Sequence, residues 1–246
     1  IQFATSHGVL ATASWTRQRV ARPFDPAKAV FWLQGIQPAW SLDVIWLPGD
    51  AITVRRIFTR GQIPLSIVPP DNAVQQSPLA QAGLPWRRDA NVTGGRLSSG
   101  PVVFGWGFGV HAQNELHFNL PEWVTGVSTF VGIDHQMNRG GCIQARMLTS
   151  VAGSTEPPSR LFESPVIVGS QKVYATGVCR LPESDGVQTL ILQTDLAQDQ
   201  RPAHADPFDV RDHTNWLDPL IYFDPEQIVG VIKRSSVEQI EACRNW

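Results

Sequence analysis

Gly105-Trp-Gly-Phe-Gly-Val-His-Ala-Gln-Asn-Glu-Leu-His-Phe-Asn-Leu120 decides the fold. From Leu116 the residues alternate strictly, with Leu116, Phe118 and Leu120 on one face and His117 and Asn119 on the other. That period of two predicts a half-buried strand. Pro121-Glu122 turns the chain, and the next apolar run, Val127 to Ile133, predicts a second strand. Cys142 to Leu148 predicts a third, with Ile143, Ala145 and Met147 inward. Val166 to Val173, Val187 to Gln193 and Leu220 to Phe223 supply more. Turn residues separate them at Asn138-Arg-Gly-Gly141, Glu156-Pro-Pro158 and Glu183-Ser-Asp-Gly186. Short strands at this spacing imply an antiparallel sandwich or jelly roll.

The flanks are read outward from there. Trp40 to Leu47 and Ile52 to Phe58, around Pro48-Gly49-Asp50, predict a hairpin. Ile63 to Val68 reads as an edge strand because of Pro64, and the polar stretch from Pro69 to Pro85 as a connecting loop. At the far end Ile228 to Ile232 predicts a strand. Ser235 and Glu238 form a capping box for a short helix over 236–244. The sequence divides into an N-terminal β extension (1–83), a β-sandwich (84–223) and a C-terminal tail (224–246).

The 246 residues are 42% hydrophobic and 17% charged, with 19 Pro, 20 Gly and 9 Trp, which suits short strands and turns over long helices. The net charge of −2 and the lack of basic runs argue against nucleic acid as a partner. No apolar run approaches the ~20 residues of a membrane span. The first residue is Ile rather than Met, which fits either a removed leader or a trimmed start. Cys142 and Cys179 lie in strand-like segments, and their spacing leaves a disulfide and two free thiols equally open. Gly105-Trp-Gly-Phe-Gly109 runs into a strand instead of opening a helix, so it offers no helix N-terminus for a pyrophosphate. No nucleophile elbow, zinc motif or phosphate loop occurs. The expectation is a protein that is not an enzyme. Asn91-Val-Thr93 is a glycosylation sequon, read here as a chance match.

Leu84 to Gly95, Gly105 to Leu120, Phe130 to Asp134 with Gly140-Gly141, and Asp212 to Leu220 occur in one order. In that order they resemble the NPCBM domain, which is similar to family 51 carbohydrate-binding modules. The resemblance covers about residues 84–222. It implies a galactose-binding-like β-sandwich, a bacterial secreted or cell-envelope location, galactose-type glycans as ligands and, in some relatives, structural calcium. The chain departs from the pattern in its long, Pro-rich stretch Thr149 to Arg160 and an insertion from Gln198 to Arg211. It also carries His135 where a second acidic residue is expected.

A sugar site needs an aromatic face and planar polar groups. His111, Asn114 and Glu115 stand just before a strand, where a turn can present them. Trp216 in the closing block and Trp106 between two glycines supply candidate rings. The same residues also fit a structural role, with the glycines making tight turns and His111 a buried hydrogen bond. Asp218 and Asp134 are the candidate calcium ligands. A second reading makes the sandwich a protein-packing module in a larger envelope assembly, with other protein subunits as partners.

Overall fold

In a computed structural model the described residues are the backbone of strands at 2–5, 8–12, 41–46 and 52–58, and residues 61–77, 84–120, 123–151, 154, 156–183 and 187–224. The chain divides into two compact units: residues 1–62 with 225–246, and residues 63–224. The first unit contains two hairpins. One joins β1 (Gln2–Thr5) to β2 (Gly8–Thr12), and the other joins β3 (Ser41–Trp46) to β4 (Ile52–Phe58). The second hairpin is the one the Pro48-Gly49-Asp50 turn predicts. The strand and capped helix expected beyond residue 227 lie outside the described residues.

The second unit is the sandwich. Its strands are β5 (Gln62–Pro64), β6 (Asn72–Gln75), β7 (Arg87–Arg88), β8 (Leu97–Ser99), β9 (Val102–Phe104) and β10 (Gly107–His111). They continue with β11 (Asn114–Leu120), β12 (Val124–Ile133), β13 (Cys142–Val151), β14 (Ser159–Glu163) and β15 (Ile167–Val168). The last are β16 (Tyr174–Ala175), β17 (Cys179–Arg180), β18 (Gln188–Asp195) and β19 (His213–Phe223). One sheet runs β16-β12-β19-β10-β7, with β17 also on β12 and β5 on β19. The other runs β14-β13-β18-β11-β6, with β15 also on β13.

The expected inward faces hold. Leu116, Phe118, Leu120, Ile143, Ala145 and Met147 are fully buried and meet Phe108, Val110, Val131 and Trp216 from the facing sheet. Phe108 and Phe118 bridge the layers with ring centroids 5.3 Å apart. Two expectations change. The stretch from Pro69 to Pro85 contains β6, which pairs with β11 from Asn114↔Gln75 to His117↔Asn72. Ile63 to Val68 gives only β5 and then a 3-10 turn, Leu65–Ile67, whose Leu65 drops into the core. A polar segment can pair as an edge strand because the ladder is made by backbone, and period-two hydrophobicity is needed only where a face is buried.

β10 and β19 are buried along both faces. Outside β19, Leu97 and Phe104 of the β8–β9 hairpin pack on Leu217. Outside β10, the backbone at Ala90 and Asn91 lies where a Cβ on Gly109 would stand. Gly107, against the Trp216 carbonyl, and Gly109 therefore serve close backbone approach.

Candidate functional site

Three chain crossings between the sheets meet at one end of the sandwich. They are Ala112–Gln113 between β10 and β11, residues 134–141 between β12 and β13, and residues 196–212 between β18 and β19. The Ala112–Gln113 peptide is cis. Beside it a groove of about 110 Å³ opens, lined by Val74, Gln76, Gln113, Asn114, Glu115, Gln193, Thr194 and Asp195. Asn114 begins β11, Thr194 and Asp195 end β18, and Gln76 follows β6, so three neighbouring strand ends build it.

Asn114 is 2% exposed, and neither its amide oxygen nor its amide nitrogen has a partner. Thr194 Oγ1 is likewise buried and unpartnered. A buried polar atom without a hydrogen bond costs about 1–3 kcal/mol.

The groove wall is held by a polar row on the outer face of the same sheet. Arg146 donates from Nε to Glu163 (2.7 Å) and from Nη2 to Gln144 (2.5 Å). Its Nη1 donates to Gln193 (3.3 Å) and Asp195 (3.2 Å). Gln193 Nε2 donates to Glu115 Oε1 at 2.7 Å, and Glu115 Oε2 meets His117 Nε2 at 2.9 Å. Gln113 Nε2 donates to Asp195 Oδ1 at 3.3 Å. Arg146, first by its hydrogen bond, holds Glu163 below the usual carboxylate range. Glu115 and Asp195 are thus oriented carboxylates, and no cationic side chain lines the groove.

The expected site residues divide. Asn114 and Glu115 line the groove together. His111 is fully buried one residue before the turn, its Nδ1 against Ala112 O at 2.6 Å and its ring 5.4 Å from His213. Burial, reinforced by His111, pushes the His213 imidazole below its ordinary value. Trp216 and Trp106 are fully buried, so neither turns a ring face to solvent. Trp216 and Ile221 both pack in the inter-sheet core although they lie five residues apart, because the β12–β19 register shifts between Leu217 and Leu220.

Asp134 and Asp218 are also buried, at 1% and 4% exposure. Asp134 accepts from Asn91 Nδ2 (3.1 Å), Asn215 Nδ2 (2.7 Å) and Gln136 N (3.0 Å). Asn91 Oδ1 is taken by Gly95 N and Thr93 Oγ1, which fixes its amino group toward Asp134. N–H donors surround this carboxylate where calcium needs oxygens, so the set does not fit a calcium ion. Among the described residues no group of three His, Cys, Asp or Glu is placed to hold a metal. Asn91 is 1% exposed, which removes it as a glycosylation acceptor. Cys142 and Cys179 are free, and burial raises both thiols.

Residues 196–212 form a clasp that sequence reading treated only as an insertion. Arg201 Nη2 donates to Asp212 Oδ2 (2.6 Å) and Cys142 O (2.9 Å), and Nη1 to Phe208 O (3.1 Å). Asp212 also accepts from Cys142 N at 2.7 Å. Burial raises its carboxyl to about 6 against those two donors. Val74, Gln76, Gln113, Gln193, Thr194 and Asp195 were the groove residues left unassigned by sequence. Continuing the alternation of Leu190 and Leu192 by one more step puts Thr194 inward, which was the available signal.

The NPCBM/NEW2 domain model matches residues 62–221, and the chain belongs to that family. No curated protein matches the sequence. Among solved structures, the CBM51-2 and INT domains of Clostridium perfringens ZmpB, in complex with GlcNAc, are similar at 17% identity and TM-score 0.51. That match covers 86% of this chain and 46% of that one. The ZmpB M60 catalytic domain with CBM51-1 and CBM51-2 gives 18% identity and TM-score 0.50, covering 75% of this chain and 18% of that one. The CBM51 of C. perfringens GH95 in complex with methyl-galactose gives 18% identity and TM-score 0.49, covering 65% and 99%. This chain therefore spans less than half of the ZmpB chains. Among the described residues no helix is long and apolar enough to cross a membrane.

Proposed function

We propose that the sandwich is a non-catalytic carbohydrate-binding domain working outside a bacterial cell, with a galactose-type sugar as its ligand. The groove beside Ala112–Gln113 is the site. Membership of the NPCBM/NEW2 family supports the class of ligand. The observation that carries the reading is Asn114, a buried carboxamide with both polar atoms unpartnered at the groove. One carboxamide can donate to one sugar hydroxyl and accept from its neighbour. Glu115 and Asp195 accept from further hydroxyls, and Gln76 and Gln113 add planar amides. A lining with two carboxylates and no cation favours neutral sugars over uronates and sialic acids.

Titration calorimetry with methyl galactoside, N-acetylglucosamine and galacturonate tests this. The neutral sugars bind and galacturonate does not. Asn114→Ala reduces affinity by about tenfold, the worth of one to two neutral hydrogen bonds. It leaves stability unchanged or slightly raised, because an unsatisfied group is removed. Asn114→Ala that binds as well as wild type, or a wild type silent to every glycan tried, refutes the reading. Turnover of chromogenic glycosides would refute its non-catalytic part.

A further inference from the structure

The groove is rich in acceptors and poor in donors. Glu115 and Asp195 both line it, and no Lys, Arg or His does. A carboxylate offers about four lone-pair positions. Glu115 meets Gln193 Nε2 at 2.7 Å and His117 Nε2 at 2.9 Å, one contact to each oxygen. Asp195 Oδ1 accepts from Gln113 Nε2 and the amide of Leu196, and Oδ2 from Arg146 Nη1. Both carboxylates therefore keep acceptor positions open. Beside them Asn114 and Thr194 pair across β11 and β18, at 2% and 1% exposure. The Asn114 carboxamide and Thr194 Oγ1 are without partners, so the unmade hydrogen bonds lie at the same strand ends as the two carboxylates.

The charge is not balanced from behind. Arg146 reaches the lining at Asp195 (3.2 Å) and Gln193 (3.3 Å). Its closer carboxylate is Glu163, at 2.7 Å, which lies outside the lining. The second guanidinium of the row, Arg160, is also on Glu163. Glu115, Asp195 and Glu163 thus stand against Arg146 and Arg160, and both cations gather at the Glu163 end. An imidazole, with no guanidinium or ammonium among the described residues, stands against Glu115. The surplus negative charge falls at the groove.

A hydroxyl both donates and accepts, whereas an ammonium donates three hydrogens and accepts none. Hydrogen bonds from a cation to a carboxylate are roughly twice as strong as neutral ones. We propose that the groove takes an amino sugar with its amine free and protonated, galactosamine rather than galactose. The ammonium donates to the groove carboxylates and a neighbouring ring hydroxyl meets the Asn114 carboxamide. This rests on the glycan-binding reading above and sharpens it: affinity falls from the ammonium sugar to the neutral sugar to the uronate.

Titration calorimetry of the full chain with methyl galactosaminide, its N-acetyl form and methyl galactoside tests it, below and above the pKa of the ligand's amine. The neutral glycosides, titrated at both pH values, cancel any effect of pH on the protein. With its amine protonated, methyl galactosaminide binds about tenfold tighter than methyl galactoside. The advantage vanishes when the amine is neutral and shrinks in high salt. Asp195→Asn and Glu115→Gln each lower the ratio of the two affinities. Ethanolamine, the same ammonium without the ring, binds far more weakly. Equal affinity for methyl galactosaminide and methyl galactoside overturns the inference and leaves the glycan reading standing. So does an advantage that survives with the amine neutral, a ratio unchanged in both variants, or ethanolamine that matches the amino sugar. Wild type that binds none of the three glycosides overturns both.

Discussion

Replacing Asp134 with alanine tests the structural reading of the loop end most directly. The carboxylate is 1% exposed and accepts three hydrogen bonds, from Asn91, Asn215 and the amide of Gln136. The two side-chain bonds are buried and charge-assisted, worth about 1.5–3 kcal/mol each. The third caps the 3-10 turn His135–Met137 and is worth about 1 kcal/mol. Alanine also removes a buried charge whose desolvation costs several kcal/mol, which offsets part of the gross loss of roughly 4–7 kcal/mol. Asn215 keeps its bond to Ser98 O at 2.9 Å, so its amino group is only half deprived. The net loss is on the order of 3 kcal/mol, read as a lower urea midpoint at unchanged slope. Asp134→Asn loses less, because its oxygen can still accept from Asn91 and Asn215, but its amino group then faces the amide of Gln136 and the turn cap is lost. If Asp134 instead ligated calcium, millimolar calcium would raise the wild-type melting temperature and chelator would lower it, and Asp134→Ala would lose that response. The hydrogen-bonded role is refuted by a calcium response that depends on Asp134, or by a loss below about 1 kcal/mol.

Trp216→Ala should cost about 3–5 kcal/mol by cavity formation in the inter-sheet core, seen in equilibrium unfolding. A Trp216→Ala protein as stable as wild type would place the ring elsewhere. Gly109→Val should fail to give soluble folded protein, because a side chain there meets the backbone of Ala90 and Asn91; circular dichroism and solubility report it. Asp212 gives a pH signature: its folded value of about 6 lies above the unfolded 3.8. The folded state then holds the extra proton, so this contribution is fully present below pH 3.8 and is lost as pH rises through 6. Its full size is on the order of 3 kcal/mol. Melting temperature against pH should fall between pH 4 and 6.5 more steeply in wild type than in Asp212→Asn, and equal slopes would refute it.

The sheet faces were legible in the sequence because alternation is a local property. Leu116, Phe118 and Leu120 face inward wherever a strand buries one side, and so do Ile143, Ala145 and Met147. β6 was not legible, since Asn72 to Gln75 pairs through its backbone and carries little apolar pattern. The motif blocks also identified the family correctly from order and residue type. What sequence had no means to decide was which face of a motif residue meets solvent. Trp216 looks like a sugar platform until the facing sheet closes over it in the inter-sheet core, and Trp106 is buried as completely. Those covers come from segments distant in the chain, and burial is the sum of such contacts. Asn114 and Glu115 stay at the groove for a local reason: they open β11 at a turn, where the sheet ends. The clasp at 196–212 gains its place through Ser77, Ala112 and Cys142, partners far from it in sequence. The sequence by itself thus determined the strands, the sandwich and the family. The tertiary structure alone decided which polar groups were left without partners and which rings were closed inside.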